Sequence, residues 1–227
     1  MKVPLKRRGD VIGPYVIQGF LGSGGEGDVF LAQHSRTGVL RSVKLLRGRD
    51  MLSQAEHTVA CYRRLAGVRS VKQLRGWGTL DKERAVGKRP WLAFDYVDGV
   101  TLARQIALGQ IKEPLAMVHG LCLALVPVHR RGMVIGDLDR GRNVLIERGS
   151  DLVKFCDLDA GVPQGRPPST ADDLWELVWL ARAAYRRRGK AAPGRLLSSL
   201  QDAATLDEAM RRLPPNEQRI APKRPPP

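Results

Sequence analysis

The sequence predicts an α+β fold in two lobes, a five-stranded sheet lobe over about residues 11–98 and a reduced helical lobe over about 99–213. Three observations carry this. Up to Val97 the apolar residues come in short runs rich in Val, Ile, Leu and Phe, broken by glycine turns, as strands require. Beyond residue 100 they recur every three or four positions over longer stretches, the spacing of a buried helix face. A length of 227 residues suits one sizeable domain or two lobes around a cleft.

Taken in order, residues 1–10 form a basic lead-in. Tyr15 to Phe20 and Asp28 to Ala32 read as paired strands around Gly22-Ser23-Gly24-Gly25-Glu26-Gly27. Val39 to Leu46 is a third strand, with Lys44 inside its apolar run. Asp50 caps a helix from Met51 to about Ala66, whose apolar face holds Leu52, Ala55, Val59 and Tyr62, with Glu56 along it. Val71 to Leu74 and Trp91 to Val97 complete the five strands, with the charged loop Asp81-Lys82-Glu83-Arg84 between them.

In the second lobe Thr101 caps a short helix, and Glu113-Pro114 opens a longer one that Pro127 kinks or ends near His129. Short strands at Val144 to Ile146 and Val153 to Cys156 flank a turn. Thr170-Ala171-Asp172-Asp173 reads as a capping box before a helix apolar nearly all round, from Leu174 to Tyr185, which predicts a central buried helix. Two short helices follow, over Leu196 to Leu200 and Leu206 to Leu213, the second capped by Thr205. Residues 214–227 read as a disordered Pro-rich tail.

Composition narrows the functional classes. Net charge is +15, from 38 Lys+Arg against 23 Asp+Glu, but the basic residues are scattered and no aromatic stripe accompanies them. Specific nucleic-acid binding is therefore not expected. Three widely spaced cysteines without a C-x-x-C pair point to free thiols in a reducing cytoplasm. The histidines lack metal-ligand spacing, the basic N-terminus has no signal-like apolar segment after it, and the longest apolar run is too short to span a bilayer.

Three features could carry chemistry. Gly22, Gly24 and Gly27 stand at G-x-G-x-x-G spacing, with Val29 two residues on. Glycine lets backbone approach a ligand and tolerates positive φ, so the turn suits a phosphate, although a flexible hairpin reads the same way. Lys44 in a strand core needs an anion, with Glu56 the obvious candidate, unless it lies on an edge and faces solvent. Asp137, Asn143 and Asp157 sit at the mouths of apolar strands, where they suit Mg²⁺ or serve merely as turn formers.

Together and in this order, these motifs resemble a protein kinase domain of the bacterial Ser/Thr type, over roughly residues 9–213. The resemblance implies that Gly22, Ser23, Gly24, Gly25, Gly27 and Val29 cover ATP, with Lys44 on its α- and β-phosphates and Glu56 as the helix partner of Lys44. Phe94-Asp95-Tyr96-Val97 resembles the hinge, where backbone groups of Asp95 and Val97 would bind adenine. Asp137 would be the catalytic base, and Asn143 and Asp157 the Mg²⁺ ligands. Asp173-Leu174-Trp175 resembles the start of the helix that anchors the large lobe.

Several positions depart from the family. H-R-D is Ile135-Gly136-Asp137, which removes the arginine that would grip a phosphorylated loop. Asn143 lies six residues after Asp137 where the family uses five, which makes Asp139 a rival base. D-F-G is Asp157-Leu158-Asp159, and only sixteen positions separate Asp157 from Asp173, so A-P-E and most of the peptide-docking segment are absent. The expectation is an ATP- and Mg²⁺-dependent phosphotransferase acting on a hydroxyl acceptor. A Ser/Thr protein kinase leads. A small-molecule kinase and a pseudokinase that binds nucleotide or a partner without turnover are the alternatives.

Overall fold

A computed structural model describes residues 6–47, 51–80, 88–158 and 168–215. The chain divides into two compact units, Met1–Asp98 with Cys156–Asp159, and Gly99–Phe155 with Ala160–Pro227. Asp50, the Asp81–Arg84 loop, Asp159 and most of the Pro-rich tail lie outside the described residues.

The first unit is a six-stranded antiparallel sheet and one helix. Its strands are β1 (Val11–Ile12), β2 (Tyr15–Ser23), β3 (Gly27–His34), β4 (Leu40–Leu46), β5 (Leu74–Leu80) and β6 (Arg89–Asp95), in the order β1-β2-β3-β4-β6-β5. Helix α1 (Met51–Arg64) connects β4 to β5. Five strands were expected. The sixth is β1, which pairs Val11 with Val16 and Ile12 with Tyr15 and is too short for any periodic pattern. Its turn needs Gly13, which has φ +53° and lies where a Cβ would run into the ring of Trp91.

The strand expected at Val71 to Leu74 instead begins at Leu74. Val71 is taken up in a turn, its N–H donating to the Val68 carbonyl at 3.1 Å. In β5 the inward positions Gly76 and Gly78 lie against the Trp91 indole. An indole filled by glycines leaves no alternating apolar signal, so the sequence pattern missed most of this strand.

Alternation along the strands separates two faces. Ile17, Phe30, Ala32, Val43, Leu45, Trp91 and Ala93 close one buried cluster with Ile12 and Tyr15. Each large side chain buried there contributes roughly 1.5–3 kcal/mol. Ser42, Lys44, Leu92 and Phe94 fall on the opposite face, where Tyr62 of α1 packs its ring 4.7 Å from that of Phe94.

The second unit has a small sheet of β7 (Gly99–Thr101), β8 (Val144–Glu147) and β9 (Val153–Phe155). Five helices accompany it among the described residues: α2 (Leu102–Ala107), α3 (Pro114–His129), α4 (Thr170–Arg187), α5 (Gly194–Gln201) and α6 (Leu206–Arg212). Thr101 and Thr205 cap α2 and α6 as expected, each accepting a backbone N–H on its hydroxyl. Buried Val118, Leu121, Cys122, Leu125 and Val128 mark the inner face of α3, which packs against α4 and α6.

Two expectations for α4 are corrected. Its capping box is Ser169 with Asp172, one residue earlier than expected, because Asp172 stands three residues into the helix from Ser169. Nor is the helix buried all round. Its inward stripe is Asp173, Leu174, Leu177, Val178, Leu180, Ala181 and Ala184, while Trp175 and Trp179 are 59% and 41% exposed. Among the described residues no helix is long and apolar enough to cross a membrane.

Candidate active site

In the first unit, β2 and β3 meet in a turn closed by the Gly24 N–H on the Gly27 carbonyl at 2.9 Å. Gly27 is required by packing: a Cβ there would meet the Leu45 carbonyl oxygen of β4. Gly22, Gly24 and Gly25 have open space where a Cβ would stand, so their backbone can be approached closely. None of the four has positive φ, so small size is what the turn uses, rather than the conformational freedom expected from the sequence. The turn is tied down by the Glu26 carbonyl, which accepts the Arg47 N–H at 2.7 Å. Arg47 also pairs with the fully buried Asp28 and donates to Ser23 Oγ at 2.9 Å.

Lys44 lies on β4 opposite Val29 and is only 7% exposed. Its Nζ donates to Glu26 Oε2 at 2.7 Å and forms an ion pair with Asp157. Gln54 of α1 donates to the other Glu26 oxygen at 2.8 Å. Asp157 has φ 59°, an unfavourable region for a residue with a Cβ and one found at functional positions.

The expected Lys44–Glu56 pair is therefore corrected. The inward stripe of α1 runs through Ala55, Thr58, Val59 and Tyr62, which turns Glu56 to solvent and leaves Leu52 38% exposed. The helix reaches the lysine indirectly, through Gln54 and Glu26.

At the end of β6, on the face opposite Lys44, the Asp95 carboxylate takes two 2.8 Å hydrogen bonds from Arg75 and lies 3.4 Å from Arg41. Its N–H is spent on the Gln73 carbonyl at 3.0 Å, and its own carbonyl lies 3.4 Å from Ser42 Oγ. Of the backbone groups predicted to meet a base, Asp95 thus keeps only its carbonyl. The main chain of Val97 makes no hydrogen bond among the described residues. Lys72 Nζ donates to Ser42 Oγ at 2.7 Å and lies 5.5 Å from the centre of the Phe94 ring. Burial pushes the Lys72 pKa down, opposed by the charges of Cys156, Asp157 and Asp95.

In the second unit, Asp137, Asp139 and Asn143 share one loop. Asp137 Oδ1 accepts the Asp139 N–H at 2.8 Å, and Asn143 Nδ2 donates to the Asp137 carbonyl at 3.1 Å. Asp139 lies 2.9 Å from Arg142 Nε. The loop is one residue longer than the family pattern, and Gly136, Asp139, Arg140 and Gly141 all take positive φ. Glu176 of α4 accepts the Arg140 N–H at 3.2 Å, and burial raises its pKa.

The fully buried Asp173 organises the approach to this loop. Its carboxylate accepts the Ile135 N–H at 3.2 Å and the Gly136 N–H at 2.8 Å, and lies 2.7 Å from His129 Nε2. The backbone immediately before Asp137 is therefore held by the first turn of α4.

No family model matches the chain. It is 25% identical over 204 residues to the serine/threonine-protein kinase AfsK of Streptomyces griseus, and 26% identical over 200 residues to that of Streptomyces coelicolor. These alignments take in 88% and 86% of this chain but 24% of each relative, so the chain spans about a quarter of the length of the curated relatives it matches. Among solved structures, the apo form of PpkA-294 matches with a TM-score of 0.72 at 15% identity, over 93% of this chain and 100% of that one. The PknI kinase domain of Mycobacterium tuberculosis matches with a TM-score of 0.61 at 19% identity, over 92% and 97% of the two chains. The chain has a bacterial protein kinase fold.

In this kinase fold, the first unit gathers the glycine turn, Val29, Lys44, Asp157, Asp95 and Val97, and the second gathers Asp137, Asp139 and Asn143. Sequence reasoning missed Glu26, Lys72 and the role of Asp173. For Glu26 a signal existed: it is the one carboxylate in the glycine turn. For Asp173 the signal was an acid opening an otherwise apolar helix.

Proposed function

We propose that this chain is a phosphotransferase that moves the γ-phosphoryl group of ATP, with Mg²⁺, to the hydroxyl of a protein Ser or Thr. The observation that carries this is Lys44, a buried lysine beside an open-backbone glycine turn with Asp157 paired to it. A buried ammonium that attracts carboxylates is an anion site, and phosphate oxygens are the anions a glycine turn admits.

The roles follow from chemistry. Backbone N–H groups of the turn and Lys44 would bind the phosphates, and the Asp95 carbonyl and the Val97 main chain the base. Asp137 is assigned as the base that positions the acceptor hydroxyl. Its rival Asp139 is neutralised by Arg142, whereas the Asp137 carboxylate meets a backbone N–H. Asn143 and Asp157 present hard oxygen donors of the kind Mg²⁺ takes. Asn143 Nδ2 donates to the Asp137 carbonyl, and Oδ1 is the amide atom with the lone pairs a metal takes. Bound Mg²⁺ would offset the charge that develops on the phosphoryl oxygens.

The test is transfer from γ-labelled ATP with Mg²⁺, offering the protein itself, a generic basic protein and an aminoglycoside as acceptors. Label on protein that is lost in both Asp137→Asn and Asp157→Ala is the expected result. Label confined to the aminoglycoside would favour the small-molecule reading. Nucleotide binding without any transfer would make the chain a pseudokinase.

A further inference from the structure

We propose that Lys72, anchored by Ser42, reads position 6 of the purine, and that the site favours a 6-oxo base over adenine. The inference rests on the reading that nucleotide binds along the Lys44 face of the sheet.

Ser42 and Lys44 are two residues apart on β4, so their side chains share a face about 7 Å apart along the strand. Register places Ser42 opposite Phe94 and Lys44 opposite Leu92. A nucleotide that runs from the Asp95 carbonyl to the Lys44 ammonium therefore passes Ser42 on its way. Ser42 is buried, and its hydroxyl lies between two groups, Lys72 Nζ at 2.7 Å and the Asp95 carbonyl at 3.4 Å.

A serine hydroxyl has one proton to give. It accepts from the ammonium, which can only donate, and so its proton points to the Asp95 carbonyl. That carbonyl is the acceptor an adenine amino group would seek, and one of its two lone pairs already faces a donor. Beside it stands Lys72, with three N–H donors and, among the described residues, one hydrogen-bond acceptor, Ser42 Oγ. An adenine amino group would bring further donors against this ammonium. A 6-oxo group would bring the acceptor the ammonium lacks.

Lysine and arginine distinguish guanine from adenine on nucleic acids by the same chemistry, through O6 and N7. Burial lowers the Lys72 pKa, so the ammonium is desolvated where it stands, which is consistent with a ligand that supplies an acceptor.

Inosine triphosphate separates this effect from any contact with the 2-amino group of guanine, because it differs from ATP only in the 6-oxo group and the N1 proton that comes with it. Competition by ITP, GTP and ATP against a fluorescent nucleotide, with Mg²⁺, is measured on wild type and on Lys72→Met. Met keeps the volume of the side chain and removes the charge, so the variant folds, as circular dichroism will verify. We expect ITP and GTP to compete roughly 10-fold better than ATP in wild type. In Lys72→Met the ITP-to-ATP ratio should fall to about one, and Ser42→Ala should shift it the same way. A wild type that prefers ATP, or a ratio unchanged in Lys72→Met, overturns the proposal while leaving the nucleotide-site reading intact. Absence of binding by all three nucleotides overturns both.

Discussion

Lys44 Nζ lies 2.7 Å from Glu26 Oε2, so the buried lysine of β4 is held by the glycine turn beside it. Asp157 is a second acid on Lys44, and Glu56 faces solvent. A carboxylate from the turn and a phosphate from a nucleotide would compete for the same ammonium. Glu26→Gln should therefore tighten nucleotide binding by up to about 5-fold, equivalent to roughly 1 kcal/mol for a partly exposed pair. Glu56→Gln should leave it unchanged. Titration calorimetry with an ATP analogue and Mg²⁺ measures both. Weaker binding in Glu56→Gln with no change in Glu26→Gln would restore the helix glutamate as partner.

Two glycines of the same turn should behave oppositely. Gly27→Ala drives a methyl into the Leu45 carbonyl and should cost roughly 1–3 kcal/mol as β3 and β4 are forced apart. Gly25→Ala meets open space and should change stability by less than about 0.5 kcal/mol. Denaturant unfolding of the two variants makes the comparison, and equal losses would refute the packing role assigned to Gly27.

Asp173→Ala should be among the most destabilising single changes in the second unit. It strands the Ile135 and Gly136 N–H groups and removes the partner of His129, at a cost of roughly 3 kcal/mol or more. Asp173→Asn keeps the shape and one acceptor oxygen, so it should lose less. Chemical denaturation reports the stability of both. Transfer activity should fall in both as well, because the backbone before Asp137 loses its tether. An alanine variant as stable as wild type would show that the tether is dispensable.

The cysteines should differ in reactivity. Burial pushes the Cys122 thiol up to about 12 and the Cys156 thiol up to about 11. At pH 8 the Cys156 thiolate is then about one part in a thousand. In the native protein, alkylation at pH 8 followed by peptide mass mapping should find Cys61 modified first, with all three modified in urea. Modification of Cys156 as fast as Cys61 in the native chain would contradict its raised thiol pKa.

Lys72 sets a pH dependence with a definite sign. Its folded pKa lies below the ordinary 10.5, so the folded chain binds fewer protons at this group than the unfolded chain. Stability of wild type relative to Lys72→Met should rise as the pH climbs from the lowered folded value toward 10.5. The penalty for the buried charge is complete below the lowered folded value, and there Lys72→Met should be the more stable protein. Thermal melts across pH 7–10.5 test the slope, and a flat difference would mean that the ammonium is not desolvated.

The sequence by itself determined what depends on neighbouring residues. Alternation located β2, β3, β4 and β6, and three-and-four spacing located α1 and α3. Thr101 and Thr205 announced their helices through short-range hydrogen bonds between hydroxyl and backbone. The order of glycine turn, strand lysine, hinge and acid-bearing loops was sufficient to predict the kinase fold. Tertiary structure decided what depends on the rotation of an element and on contacts distant in sequence. Two residues along a helix are a 200° turn, so a misjudged inward face of α1 exchanged Glu56 for Gln54 and, through it, Glu26. The ties from Asp173 to Ile135 and Gly136 span 38 and 37 residues, and the tie from Lys72 to Ser42 spans 30. No local pattern encodes such pairings: a buried charge takes whichever partner the packed backbone brings within reach, and only the folded chain makes that choice.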